Sequence, residues 1–218
     1  MKNTIALIAA WALSAGLMAA PPQSAGLTPA EQKEGWKVLF DGKTTTGWTP
    51  RGVLAGAARG TAPATPARPA AKWVVENGEL VPVKGSGAGH LVTNQSYGDF
   101  SLRIDFWSDA EANSGIFVRS PESGAINANV AYEVNIFDAH DLWPTGSINN
   151  VQKTSRTPKT VGKWNTYEIT AQGDHVVVVL NGEKTVDVTA SRAPRGVIAL
   201  QVPAMGVARF KNVRIKAL

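Results

Sequence analysis

The sequence contains no cysteine. Disulfides, thiolate metal sites and a cysteine nucleophile are therefore excluded, as is a lipid anchor on a cysteine behind a leader. Histidine is scarce as well: His90, His140 and His175 stand far apart. Only His140, beside Asp138 and Asp141, has neighbours that suit a cation, and no metal centre is expected from it. The fingerprints GxGxxG and GxxxxGK(S/T) and the serine elbow GxSxG are all absent, which leaves dinucleotide, phosphate-loop and serine-triad chemistry without support. After the first twenty residues no apolar run is long enough for a membrane span. No helical pattern of useful length follows Gly35.

What is present begins with a leader. Lys2 precedes the apolar run IALIAAWALSAGLMAA, then small residues and Pro21-Pro22. This reads as a secretory signal peptide over about residues 1–26, cut near Ser14/Gly16 or Ser24/Gly26, since a cut directly before Pro21 is disfavoured. A periplasmic or secreted protein is expected. The remaining residues, 27–218, suffice for one all-β domain. The net charge is +5 and the pI about 9.6. The basic residues are spread along the chain and alternate with acids, so no nucleic-acid partner is expected. Affinity for anionic envelope polymers is the milder consequence.

The chain is punctuated by turns. Thr28 to Glu31 predicts a capping box on a helix of one or two turns. Residues 51–72 are rich in Ala, Pro, Gly and Thr and hold bases but no acid. Such composition predicts a mobile inserted loop, with a lid as the less favoured role. Elsewhere short alternating segments predict strands, with hairpins at Asn77-Gly78 and Asn181-Gly182 and a turn at Gly173-Asp174. The run VVVVL (residues 176–180) predicts a strand in a sheet core. The fold class is all-β: a two-sheet antiparallel jelly-roll sandwich.

Three alternating segments carry the chemistry: YGDFSLRIDFW, NSGIFVRSPE and AYEVNIFD. Their open positions are Arg103, Asp105, Trp107, Arg119, Glu133 and Asn135, expected on one sheet face. Carboxylates and amides hydrogen-bond hydroxyls, and an indole covers the apolar face of a pyranose. The partner expected is therefore carbohydrate. Asn113, Ser114, Trp143 and Lys153 extend the binding set, and Asp138 the acid set. Each has a plainer reading. Glu133 with Arg119, and Asp105 with Arg103 or Arg119, are also ordinary cross-strand ion pairs. Asp138 is also a turn cap, and Asn113-Ser114-Gly115 also a turn. Trp36, Trp48, Trp73 and Trp164 read as core. No cofactor is expected, and a structural calcium ion on loop carboxylates near Asp141 is left open.

The succession WKVLFDGKTTTGW, WVVENGEL, YGDFSLRIDF, NSGIFVR, YEVNIFD, TGSI, GKWNTYEI, LNGEKTVD, GVIALQ and FKNVRIKAL resembles the 3-keto-disaccharide hydrolase domain family, over Gly35 to Leu218. The resemblance implies a concanavalin-like sandwich, usually exported, that cleaves glycosides whose glucose is oxidised at the 3-hydroxyl. It departs from the family after Gln201, where Val-Pro-Ala-Met-Gly replaces a His-Gly pair. Asn149 stands in place of a tyrosine, and Asn135 in place of a glutamine. A 3-keto group acidifies the C2 hydrogen, so a base can form an enolate that expels the C1 substituent, and water then adds back. Glu133 is the candidate base, Arg119 the enolate stabiliser, and Asp105 or Asp138 the acid. Two other readings stand: a non-catalytic lectin-like module, and a retaining glucanase in which Glu133, Asn135 and Asp138 form a degraded acid triplet.

Overall fold

The computed structural model describes residues 26–53 and 68–218. The leader, apart from Gly26, and residues 54–67 lie outside it. A single short helix, α1 (Pro29–Lys33), opens the described chain. The expected capping box is formed: the Thr28 hydroxyl accepts from the Glu31 amide, and the Glu31 carboxylate accepts from the Thr28 amide at 2.8 Å. Thirteen strands follow. They are β1 (Lys37–Val38), β2 (Trp48–Arg51), β3 (Trp73–Glu76), β4 (Glu79–Pro82), β5 (His90–Thr93), β6 (Phe100–Ser108) and β7 (Ser114–Ser120). Then come β8 (Tyr132–Ile136), β9 (Trp164–Gln172), β10 (His175–Leu180), β11 (Glu183–Thr189), β12 (Val197–Gln201) and β13 (Ala208–Ala217).

The strands form two antiparallel sheets, as expected. The larger runs β11-β10-β9-β6-β13-β4-β3, with β1 on β13; the smaller runs β2-β5-β12-β7-β8. The hairpins at Asn77-Gly78 and Asn181-Gly182 hold both residues at positive φ, 52° and 80°, then 52° and 83°. That is the twist a two-residue hairpin requires. Between the sheets, alternate residues interdigitate. Leu102, Ile104 and Phe106 from β6 and Tyr167 and Ile169 from β9 meet Ile116, Val118, Tyr132, Val134 and Ile136 from β7 and β8. Val176, Val178 and Leu180 of the valine run join this core, while Val177 and Val179 face outward. The free edge of β8 is covered by residues 146–149, whose backbone pairs with Glu133 and Asn135, so no open edge is presented there.

The single-face expectation for the candidate residues is corrected by this topology. β6 lies in the eight-stranded sheet, and β7 and β8 in the five-stranded one. Arg103, Asp105 and Trp107 therefore face outward on one side of the sandwich and Glu133 on the other. Alternation predicts the outward side of a strand but not the sheet it joins. Arg119 departs further. β7 carries a bulge opposite β12, and Arg119 takes φ 53° within it. Its side chain is fully buried, donating to the Gly98 and Gly173 carbonyls and to the Asp99 carboxylate at 2.8 Å. It ties β7 to two loops of the opposite sheet. Arg119→Ala should lower the unfolding free energy by on the order of 3 kcal/mol, because a fully buried side chain and its charge-assisted hydrogen bonds are lost and a cavity is left. Urea denaturation reads this; a loss below about 1 kcal/mol would remove the clamp.

Candidate active site

The outer face of the five-stranded sheet is built in rows. Arg51 of β2 pairs with His90 of β5, and His90 with Gln201 of β12. The register that pairs Ala199 with Phe117 and Leu200 with Ile116 brings Gln201 beside Gly115 at its next step. Gly115 in turn pairs with Asn135. The neighbouring row holds Val92, Ala199, Phe117 and Glu133. Small Ala199 lets the His90 ring meet Phe117 edge-on, centroids 4.9 Å apart. Part of this face is covered by residues 121–130. Ile126 packs on Val92, Phe117, Val197 and Ala199, and Arg51 holds the Pro121 and Glu122 carbonyls at 2.9 and 2.7 Å.

Glu133 is the chemically distinctive group. Its side chain leans over Gly115, where an added Cβ would lie 3.2 Å from its Cγ and 3.3 Å from Oε1. Glycine there leaves the carboxyl room, and β12, which carries Gln201, runs one strand spacing of about 4.8 Å from β7. Glu133 is 8% exposed and has no ion-pair partner among the described residues. Burial raises its pKa to about 7, with the Asn149 carboxamide pulling it partly back. His90 is shifted the other way. Burial first, and the nearby Arg51 charge second, lower its pKa to about 4, so the ring is neutral at pH 7. His90 Nε2, Gln201 Oε1, Asn135 Oδ1 and Asn149 Oδ1 are buried without hydrogen-bond partners among the described residues. His90, Gln201 and Asn135 share one row of the face with Gly115, and Asn149 adjoins Glu133 through the backbone; buried unpaired polar atoms grouped in this way call for a partner.

A cavity of about 490 Å³ adjoins His90 and Gln201. Its walls are residues 82–85, 87–89 and 202–207, with Ile126 and with Val53 and Arg68 from the two ends of the inserted loop. Those ends are ordered: Val53 bridges to Arg68, and Ala70 to Ala88. The mobile-loop expectation is thus corrected for residues 51–53 and 68–72; its remainder lies outside the described residues.

The other candidates are engaged elsewhere. Asp105 accepts from Thr166 and Asn212, each at 2.7 Å, on the far sheet. Arg103 binds Glu31 and Glu168 and covers Trp36; Trp107 lies under Arg209, 4.3 Å from its ring centre. Trp36 and Trp164 also sit on that outer face, beneath Arg103 with Lys216 and beneath Lys211, rather than between the sheets. Asp138 accepts twice from Thr160, amide and hydroxyl, at 2.8 and 2.6 Å, so it caps a loop. Ser114 begins β7 instead of a turn, and its hydroxyl donates to the Gln201 carbonyl at 2.8 Å. The Asn113 carbonyl holds Ala204 at 3.1 Å, in the cavity wall. Asn135 donates to the Trp143 carbonyl, and Lys153 to that of Asp141 at 3.2 Å. The described residues hold no cluster of three or more His, Cys, Asp or Glu side chains that could hold a metal ion. His90 had no signal beyond its place at the start of a short strand. Its role emerges from cross-strand pairing.

A buried carboxyl of raised pKa, amides and a small-ligand cavity thus share one face of a two-sheet sandwich of the concanavalin-like kind. A family model described as a 3-keto-alpha-glucoside-1,2-lyase-like domain matches residues 35–216, and the chain belongs to that family. Family and fold together make it a carbohydrate-active domain. Among solved structures it is similar to a candidate glycosyl hydrolase from Parabacteroides distasonis, with 22% identity and a TM-score of 0.70 over 90% of this chain and 100% of that one. It is similar to the carbohydrate binding module CBM66 from Bacillus subtilis, with 20% identity and a TM-score of 0.57, over 79% and 96%. It is also similar to a Bacillus licheniformis beta-glucanase, with 13% identity and a TM-score of 0.54, over 79% and 93%. These likenesses carry the fold. No curated protein matches the chain. Among the described residues no helix is long and apolar enough to cross a membrane.

Glu133 carries a stability cost with a definite sign. Its folded pKa lies above the ordinary 4.5, so the native state binds the extra proton between these values. Stability from this group is present at low pH and is lost as pH rises from 4.5 to about 7. Glu133→Gln should therefore match the parent near pH 4 and exceed it at pH 8 by on the order of 3 kcal/mol. Thermal or urea unfolding at both pH values checks this. A variant no more stable at pH 8 would remove the desolvated carboxyl.

Proposed function

We propose that the protein cleaves 3-keto-glucosides by elimination across C1 and C2, with Glu133 as the base. The observation that carries the reading is a single carboxyl on this face that is buried, has no ion-pair partner, and is poised near neutral pH. A base must be ionised yet strong enough to take a carbon-bound proton, and a pKa near the working pH meets both needs. In this reading the 3-keto ring lies over Gly115. Glu133 removes the C2 proton, and the C–H electrons move through C2–C3 to the ketone oxygen. The Gln201 carboxamide is placed to donate to that enolate oxygen. Collapse re-forms the ketone, makes the C1=C2 bond and expels the C1 oxygen, which takes the proton now on Glu133. Asn149 orients the carboxyl. Water added to the unsaturated product makes the net change hydrolysis.

The geometry weighs against a retaining glucanase. That chemistry needs two carboxyls about 5–5.5 Å apart. Asn135 is an amide tied to the Trp143 carbonyl, and Asp138 is bound on both oxygens by Thr160. The apolar leader over about residues 1–26 puts this activity, in the same reading, in the periplasm or outside the cell.

Glu133→Gln should abolish turnover of 3-keto-glucosides while leaving ligand binding in place, and unoxidised glucosides should be inert. In the parent, turnover should rise with pH through about 7 and then level as Glu133 ionises. Retained turnover in the variant, or a flat profile from pH 5 to 9, counts against the base. Binding of sugars with no cleavage of either set would make this a lectin-like module.

A further inference from the structure

Large apolar side chains are seldom left clustered in water without a function. Among the described residues eight are markedly exposed, and four of them, Val53, Val83, Met205 and Val207, line the one cavity beside His90 and Gln201. The cavity is within the range of small-ligand pockets, about 300–1,000 Å³. Among the described residues its lining holds no acid and no Trp, Tyr or Phe, and its charged members are Arg68 and Lys84. A second sugar ring is poorly served by such a wall. It lacks both the carboxylates that take sugar hydroxyls and the flat ring on which a pyranose stacks. A flat aromatic group is well served, by valine methyls and by a methionine sulfur.

We propose that this cavity is the leaving-group subsite, and that the natural substrates are glycosides of aryl aglycones rather than disaccharides. The proposal rests on the reading above for the position of the sugar. Gln201 lies between the cavity and the gap over Gly115. A ring placed in that gap points its C1 substituent along the row toward His90, into the cavity. The buried, unpartnered Nε2 of His90 stands at this junction, where the glycosidic oxygen passes. The walls are held in place. Val202 donates to the Gly89 carbonyl at 2.9 Å, Asp109 to that of Val207 at 3.1 Å, and Ala88 to that of Pro69 at 2.9 Å. The cavity is thus formed before the ligand arrives.

Calorimetric binding on the full chain tests this without requiring turnover. The probes are 4-nitrophenyl glucoside and methyl glucoside, in both anomers, and the disaccharides cellobiose and maltose, all unoxidised. The aryl glucoside should bind about tenfold more tightly than the others. The double variant Met205→Ser with Val207→Ser alters two exposed side chains, so folding should survive, as circular dichroism can verify, and the aryl preference should vanish. Equal binding of aryl and methyl glucosides, no aryl binding, or a preference that survives the double variant each overturns the proposal. Aryl preference without cleavage of 3-keto-glucosides upholds the subsite and removes the elimination reading. Cleavage without aryl preference does the reverse.

Discussion

The buried guanidinium of Arg119 is the interaction on which the two-sheet arrangement most depends. Two sheets of a sandwich diverge at their ends, where loops replace side-chain packing. Here a charged group fills that space. It is satisfied by two carbonyls and a carboxylate from loops flanking β6 and β9. Removing a guanidinium from water is costly, and only a near-complete set of acceptors offsets the cost. The bulge in β7 makes the geometry available. With φ at 53°, Arg119 leaves the outward row that alternation assigns to it and turns into the sandwich. Beyond the bulge the register is restored, with Ser120 opposite Val197. The clamp therefore sets how far the β7–β8 pair can move relative to the opposite sheet, and the site is on that pair.

What the sequence reveals follows from the same geometry. The strands, the two type I′ hairpins and the capping box on α1 are written in local periodicity and turn chemistry, and they are legible. Glu133 is legible too, as an acid at an outward position of a segment otherwise buried. The partition into sheets is not. Asp105 and Glu133 occupy equivalent places in similar patterns, and only long-range pairing separates them. Trp107 reads as a sugar platform until Arg209 is seen to cover it. The bulge at Arg119 leaves no local trace, since arginine has no special affinity for positive φ. His90 is illegible for the opposite reason. Its importance lies in being opposite Gln201, more than a hundred residues away.

With Glu133 as the proposed base, function and stability pull apart. A carboxylate on a sheet face is normally solvated or paired with a cation. Here neither holds among the described residues, and the neighbouring Gly115 contributes no side chain that might pack in compensation. Arg51, a cation of the neighbouring row, is engaged with the 121–130 segment. Placing that guanidinium beside Glu133 would stabilise the fold at neutral pH. It would also lower the carboxyl's pKa and make it a feeble base. His90 responds to the same environment with the opposite sign, losing stability as pH falls from 6.5 toward 4. Between about pH 4.5 and 6.5 the two slopes oppose one another. A site can thus hold two strained groups while the whole protein shows little pH dependence across that window.

The inserted segment belongs to the same argument. Its two ends join the five-stranded sheet and the cavity rim: Arg51 continues β2, Val53 meets Arg68, and Ala70 meets Ala88. Gly89 permits this closeness, at φ 100° with its Cα so near β2 that a Cβ would fall 2.1 Å from the Arg51 carbonyl oxygen. No other residue fits there without parting the strands. The consequence is a division of labour along one row of the sheet. Residues from the insertion's ends shape the cavity at the His90 end. Residues from β7 and β8, fixed by the Arg119 clamp, set the carboxyl at the other. Changes at the insertion's ends can then alter the cavity without disturbing the carboxyl proposed as the base. If one carboxyl does the chemistry, as proposed, variation at the rim is the physically cheapest route to new substrates.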